Sequence, residues 1–316
     1  MKLIECVPNF SEGRDKEKIK QIAKAIILEA KLLNVESDSD HNRTVITFAG
    51  EPEQVLEAAY KGIEKASEII DMAKHKGAHP RIGATDIVPF VPLEGATMKD
   101  CVKLAKKLGK KVGKLGIPVY LYAEATKKEE RKSQSNIRKG EYEGLEEKMK
   151  LKEWKPDYGP KKFNPKTGAT IIGARKILIA YNINLTKPDL DTAHIIAYTI
   201  RSSGILGSKG YFKKLQAKGI MLENYNIAQV TMNLLDYETT GLAKVYQKVE
   251  ELAHKFNNDL SSSELIGLAP KKAFINAGKH YNPNIENEED LIRIAIEKLK
   301  LGKDFDYKKK IIEYLV

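Results

Sequence analysis

Ile177-Leu178-Ile179-Ala180-Tyr181-Asn182-Ile183 is an apolar run of strand length, and the order of segments after it decides the fold. Asp189–Ser202 carries a helical pattern. Ile220–Glu223 and Ala228–Leu234 are strand-like, Thr240–Asn257 is helical, and Glu264–Gly267 is strand-like again. The order is β-α-β-β-α-β, the split βαβ arrangement. Pro270–Gly278 and Glu288–Leu299 add helices, and residues 300–316 a helical tail.

The first half has a similar rhythm. Strands are expected at Leu3–Phe10, Thr44–Phe48, Asp86–Val91, Pro118–Tyr122 and Ala169–Ile172. Between them, Lys16–Leu33 puts Ile19, Ile22, Ala23, Ile26, Ile27 and Ala30 on one helical stripe. Glu53–Met72, Lys99–Leu115 and the charged Thr126–Lys148 also read as helices. Lys150–Gly168 lacks periodicity, holds Trp154 and several Pro and Gly, and reads as a long loop of the kind that often carries function. Two open α/β sheets, each covered by helices on one face, tend to bury their bare faces together and leave a cleft for a ligand.

The chain has 316 residues, 42% hydrophobic and 31% charged, with a formal net charge of +11. Most lysines sit beside glutamates on helix-like stretches, as exposed faces do. Only eight residues are arginine, where an RNA-binding surface interleaves Arg with aromatics, so no nucleic-acid partner is expected. No run of 18 apolar residues exists, and the start Met1–Val7 turns polar too soon for a signal peptide. A cytoplasmic protein without a membrane partner is expected. Cys6 and Cys101, far apart and without metal spacing, read as buried thiols in a reducing compartment.

Four stretches carry candidate chemistry. Lys76-Gly77-Ala78-His79-Pro80-Arg81-Ile82-Gly83-Ala84-Thr85-Asp86 holds an imidazole on a turn before a strand, beside a guanidinium. Such a group moves protons near neutral pH, although a His next to Pro is more often an ordinary turn residue. Glu5–Arg14 is a strand-to-helix connector, with Ser11 a candidate helix cap. Ser37–Thr44 packs Asp38, Asp40, His41, Asn42 and Arg43 before a strand, either as a polar turn or as ligands to a cleft. No second His or Cys cluster completes a coordination sphere, so no metal is expected. The fourth stretch is Gly159-Pro160-Lys161-Lys162-Phe163-Asn164-Pro165-Lys166-Thr167-Gly168. There Phe163 suits stacking on a planar heterocycle, Asn164 suits its amide edge, and the lysines suit carboxylates. Phosphate-cradling loops, dinucleotide fingerprints, Cys-x-x-Cys pairs and nucleophile elbows are absent.

Together, Glu5–Arg14, Asp40–Thr44, Gly77–Asp86, Ile137–Leu145, Pro156–Gly168, Gly173–Leu185, Gln229–Glu238 and Ser263–Pro270 resemble the formiminotransferase domain family, in order and spacing, over roughly residues 3 to 275. The resemblance implies an α/β (α+β) fold of two ferredoxin-like subdomains, their mixed sheets packed face to face with helices outside. The divisions would be 1–174, 175–299 and a tail at 300–316. It implies an enzyme that moves a formimino group from N-formimino-L-glutamate to N5 of tetrahydrofolate, the folate being a co-substrate. His79 falls on the family's catalytic His, with Asp38 or Asp40 working beside it. Residues 159–168 fall on the folate loop, Lys213 near a second folate contact, and Arg43 and Arg81 become candidates for gripping the donor's carboxylates. Formyl transfer between 5-formyltetrahydrofolate and glutamate is the nearest rival, and a non-catalytic folate-binding protein the next. The partners implied beyond substrates are a second copy of the chain and a separate cyclodeaminase.

Overall fold

The protein is described by a computed structural model covering residues 2–205, 208–302 and 304–316, with all side chains but that of Asn224. It comprises two compact units, one running to Lys176 and including Val316, the other Ile177–Leu315.

The first unit opens with β1 (Ile4–Cys6) and β2 (Asn9–Phe10), one strand lane broken in the middle. The expected single strand Leu3–Phe10 is interrupted at Val7-Pro8, where proline has no N–H for the ladder. Then come α1 (Lys16–Ile27), β3 (Lys31–Asp38), β4 (Arg43–Gly50), α2 (Pro52–Ile69) and β5 (Thr85–Pro92). The side-by-side order is β3-β4-β1/β2-β5, all antiparallel. The remaining elements are α3 (Met98–Lys114), β6 (Val119–Ala123), α4 (Gln134–Arg138), α5 (Leu145–Lys150) and β7 (Thr170–Ala174). β7 pairs in parallel with both β5 and β6 and extends the sheet beyond β5.

β3 corrects the expectation of a helix to Leu33. The helix stops at Ile27, and Lys31–Asp38 pairs with β4 from Lys31 opposite Ala49 to Asp38 opposite Arg43. Nothing between Leu28 and Leu33 breaks a helix locally, so cross-strand pairing overrides propensity there. The expected helix Thr126–Lys148 is likewise a 3-10 turn at Glu129–Arg131 followed by α4 and α5. Gly140 and Glu141 between them take left-handed backbone, which ends α4 and turns the chain.

Alternation in the strands feeds two cores. Val88 and Phe90 of β5, Val119 and Leu121 of β6 and Ile172 of β7 pack in the cluster that also holds residues of α1–α3. Ile87, Tyr120, Tyr122 and Ile171 point to the other face, against Ile137, Leu145 and Met149. A sheet region with parallel pairing is therefore covered on both faces, as such regions must be. Each fully buried Ile or Phe here stabilises the unit by about 1.5–3 kcal/mol. Cys6 of β1 and Cys101 of α3 lie in the first cluster as free, fully buried thiols, and burial pushes the Cys101 thiol up to about 12.

The second unit runs β8 (Ile179–Leu185), α6 (Leu190–Ile200), β9 (Leu215–Leu222), β10 (Ile227–Leu234), α7 (Leu242–Lys255) and β11 (Leu260–Ile266). Its strand order is β11-β8-β10-β9, the first strand of the unit lying between the fourth and the third. The first four lanes of unit one have this same order, so both are ferredoxin-like. Every pairing in the second sheet is antiparallel, so only the first sheet is mixed. Helix α8 (Lys271–Tyr281) packs on α7, and α9 (Glu288–Lys298) packs on α8. Residues 300–316, expected as a helical tail, contain α10 (Tyr307–Lys310) and two isolated bridges, Leu301 to Ser263 and Ile311 to Ala269. Ile311 and Ile312 are fully buried, which makes this segment part of the core rather than an appendage. Among the described residues no helix is long and apolar enough to cross a membrane.

Candidate active site

His79 lies in the loop between α2 and β5, six residues before that strand begins. The loop is stitched to the turn between β3 and β4. Ala78 N donates to Asp40 O, Asn42 Nδ2 donates to Lys76 O, and Asn42 Oδ1 accepts from Gly13 N. Asn42 takes left-handed backbone, which Asn tolerates. Gly77 is required by close approach: a Cβ there would sit 2.4 Å from His41 O. Ser11, expected to cap a helix, donates from Oγ to Gly83 O instead, and Asp15 caps α1.

Arg43, at the start of β4, places Nη1 3.0 Å from Asn9 Oδ1 and 2.9 Å from His79 Nε2. A guanidinium has no lone pair to accept with, so Nε2 is the acceptor and the imidazole is neutral. Burial, followed by the positive charges of Arg43, Arg138 and His41, pushes the His79 pKa down to about 3. His79 therefore enters at neutral pH as a base.

The acidic residues expected beside it stand elsewhere. Asp38 ends β3 and turns to His41, with Oδ2 2.7 Å from the His41 Nδ1 and Oδ1 accepting from the backbone N–H of Asp40 and His41. Burial works to raise the Asp38 carboxyl, but these hydrogen bonds outweigh it and hold it below the usual range. The Asp40 side chain is exposed, and its contribution to the loop is its carbonyl. What meets His79 is the His41 ring, edge-on at 6.1 Å. An Asp38–His41 pair thus stands next to His79, where a direct Asp–His79 pair was expected.

Arg81 is engaged within the protein. It forks onto Glu143 at 2.6 and 2.8 Å, reaches Glu141 at 3.0 Å, and donates from Nε to His75 Nδ1. Its side chain is 7% exposed, which removes it from the groups free to grip a donor. Ser11, His41, Arg43, His79 and Asp86 share one small pocket. Asp86, buried in β5, accepts from Ile82 N at 3.0 Å and from Arg138 Nη2. Arg138 is held in place through α4, whose Ile137 is buried and whose end is clasped by Lys148. The Lys148 Nζ donates to the carbonyls of Asn136, Ile137 and Lys139 and lies 4.0 Å above the Trp154 ring.

The loop Gly159–Gly168 docks on the His79 segment through backbone. Ala84 N donates to Thr167 O, and Ala169 N donates to Ile82 O. Gly168 is required here: its φ is +63°, and a Cβ would lie 2.1 Å from Ile82 O. Asn164, expected to read a heterocycle's amide edge, is spent on the loop. Its Oδ1 accepts from Lys166 N and Thr167 N, and its Nδ2 donates to Gly116 O. Lys166 Nζ donates to Glu68 O, and Thr167 is buried. Phe163 lies 5.4 Å from the Tyr142 ring, whose hydroxyl donates to Pro165 O. Gly159, Pro160, Lys161 and Lys162 are exposed, the two lysines offering their charges outward. Asn164→Ala should lower stability by about 1–3 kcal/mol, because it orphans two N–H groups and a carbonyl. Thermal unfolding measures this, and an unchanged midpoint would mean the loop is held by other contacts. Lys213 lies in the second unit, exposed, two residues before β9.

Sequence reasoning missed Arg138 and His75, and it gave Asp86 no role. Asp86 carried a signal, an acid opening an apolar strand, whereas Arg138 had no local pattern. Among the described residues no group of three His, Cys, Asp or Glu is placed to hold a metal ion.

Residues 3–175 match the family described as the formiminotransferase domain, N-terminal subdomain, and residues 180–316 the formiminotransferase domain. The chain is 39% identical to a glutamate formimidoyltransferase of Streptococcus pyogenes serotype M1, over 99% of this chain and 98% of that one. It is 45% identical to a protein of the same name from Thermoplasma acidophilum, over 89% and 92%. A formimidoyltransferase-cyclodeaminase of Rattus norvegicus is 46% identical over 99% of this chain, which spans 60% of that relative's length.

Proposed function

Because this chain belongs to the formiminotransferase domain family, we propose that it transfers the formimino group of N-formimino-L-glutamate to N5 of tetrahydrofolate, with His79 carrying the proton. The observation that supports this most is the neutral imidazole beside Arg43. N5 attacks the amidine carbon, and the N5 proton passes to His79 Nε2 as the N–C bond forms. The tetrahedral intermediate then collapses. The bond to the glutamate nitrogen breaks with its electron pair, and the proton on Nε2 goes to that nitrogen, which leaves as an amine. His79 is regenerated neutral and no other reactant is consumed. Arg43, displaced from Nε2 as the reaction proceeds, is the guanidinium nearest the chemistry and suits a donor carboxylate. Lys161 and Lys162 suit the carboxylates of the folate's glutamate tail, and Phe163 suits its aromatic part.

The test is turnover by purified protein with tetrahydrofolate and formiminoglutamate, compared with 5-formyltetrahydrofolate and glutamate. Turnover of formiminoglutamate is the expected result. Activity confined to the formyl pair would replace this reading with folate salvage, and no turnover with either would leave a folate-binding protein.

A further inference from the structure

The nitrogen that travels with the transferred carbon needs a partner of its own, and few groups around His79 are free to serve. Ser11 is buried and donates to Gly83 O, and the Asn42 amide is taken up by Gly13 N and Lys76 O. His75 uses both ring nitrogens, accepting from Arg81 Nε and donating to Asn42 O. Asp86 is buried between Ile82 N and Arg138, and the guanidiniums of Arg43 and Arg81 can only donate. Of the side chains that line the pocket with His79, there remains His41. Its ring is half-exposed, stands edge-on to His79 at 6.1 Å, and has no partner at Nε2 among the described residues. Its backbone is fixed: Asp38 Oδ1 accepts from the His41 N–H, and His41 O lies against Gly77, where a Cβ has no room. Its tautomer is fixed too. The Asp38 carboxylate, 2.7 Å from Nδ1, only accepts, so the neutral ring carries its proton on Nδ1 and its lone pair on Nε2.

Resting on the transfer reaction proposed above, we infer that His41 selects the group transferred: its Nε2 accepts an N–H of the formimino nitrogen, and Asp38 is the positioning residue that keeps it an acceptor. An alkyl amidine is a stronger base than an imidazole, so the donor arrives as an amidinium. It has N–H groups to give, and its positive charge keeps the facing ring neutral. The C=N electron pair moves onto the travelling nitrogen as N5 attacks and returns as the glutamate nitrogen leaves. That nitrogen keeps its two protons from donor to product, while the N5 proton passes through His79 as before. A formyl group puts an oxygen in the same place. The oxygen has lone pairs only, meets the Nε2 lone pair, and leaves both acceptors without a donor.

The experiment measures binding of N-formimino-L-glutamate and N-formyl-L-glutamate by calorimetry, without tetrahydrofolate, to wild type, Asp38→Asn and His41→Phe. Wild type should prefer the formimino compound by about 10- to 100-fold, the size of a charge-assisted hydrogen bond. In Asp38→Asn the side-chain carbonyl keeps the backbone N–H groups of residues 40 and 41, and the amide nitrogen faces His41 Nδ1 as a donor. The ring proton must then move to Nε2, which becomes a donor, and the preference should turn to the formyl compound. His41→Phe keeps the Asp38 charge but has no acceptor, and should bind the two alike. A merely structural role for the pair would weaken both ligands equally and leave their ratio unchanged. That result, like a wild type without preference, would overturn the inference. A preference that switches in Asp38→Asn, in a protein that turns over neither compound with tetrahydrofolate, would keep the His41 site and reject the transfer reaction instead.

Discussion

Replacing His79 by alanine is expected to lower kcat/KM for formimino transfer by about 10²–10⁴-fold, the span that a positioned acid–base group contributes. Tetrahydrofolate should still bind, because the 159–168 loop is held by Asn164 and by backbone pairing to residues 82–84, none of which needs the imidazole. Alanine leaves Arg43 with Asn9 as its remaining partner, so the pocket becomes no less cationic and the donor's attraction persists. The loss should therefore fall on kcat. Steady-state kinetics and fluorescence titration with tetrahydrofolate separate the two effects. A mutant with normal kcat and weakened folate affinity would assign His79 to binding instead.

The largest expected stability effect belongs to Asp86→Asn. Asp86 is 2% exposed and serves two partners, Ile82 N and Arg138. An amide of the same size keeps the first contact and removes the charge facing the second. Breaking a buried ion pair from one side costs about 3–5 kcal/mol, since the remaining charge stays buried without compensation. Arg138 is also near enough to oppose charge on His79, so losing its counter-ion should reduce activity as well. Denaturant unfolding reads the stability term. A loss under about 1 kcal/mol would mean that Arg138 swings into water when released.

The second unit was legible because its strands are bounded by turn residues and its helices carry clean amphipathic stripes. The strand at Lys31–Asp38 was not. It is an edge strand without a fully buried residue, preceded by helix formers, and only its partner at Arg43–Gly50 makes it a strand. At the site, the sequence brought His79, Arg43 and the 159–168 loop into view because each sits in a short motif. It could not show which polar groups satisfy one another. Arg81 and Asn164 had the right chemistry for ligands, but tertiary neighbours some sixty residues away, Glu141 and Glu143, and a local turn claimed them. Asp38 was likewise claimed by His41, three residues along. Arg138 reaches Asp86 across a separation of 52 residues, a pairing that no local pattern announces.

The two cysteines of the whole chain both lie inside the first unit's core, on β1 and α3, and the second unit has none. Burial leaves these thiols unreactive while the core is closed. The native molecule thus contains its own clock for the opening of one half. The rate at which an alkylating reagent consumes thiol, followed across a denaturant series, reports when that half exposes its interior and is silent about the other. Unfolding of the two halves can be timed separately in the unaltered protein, without a label or a substitution.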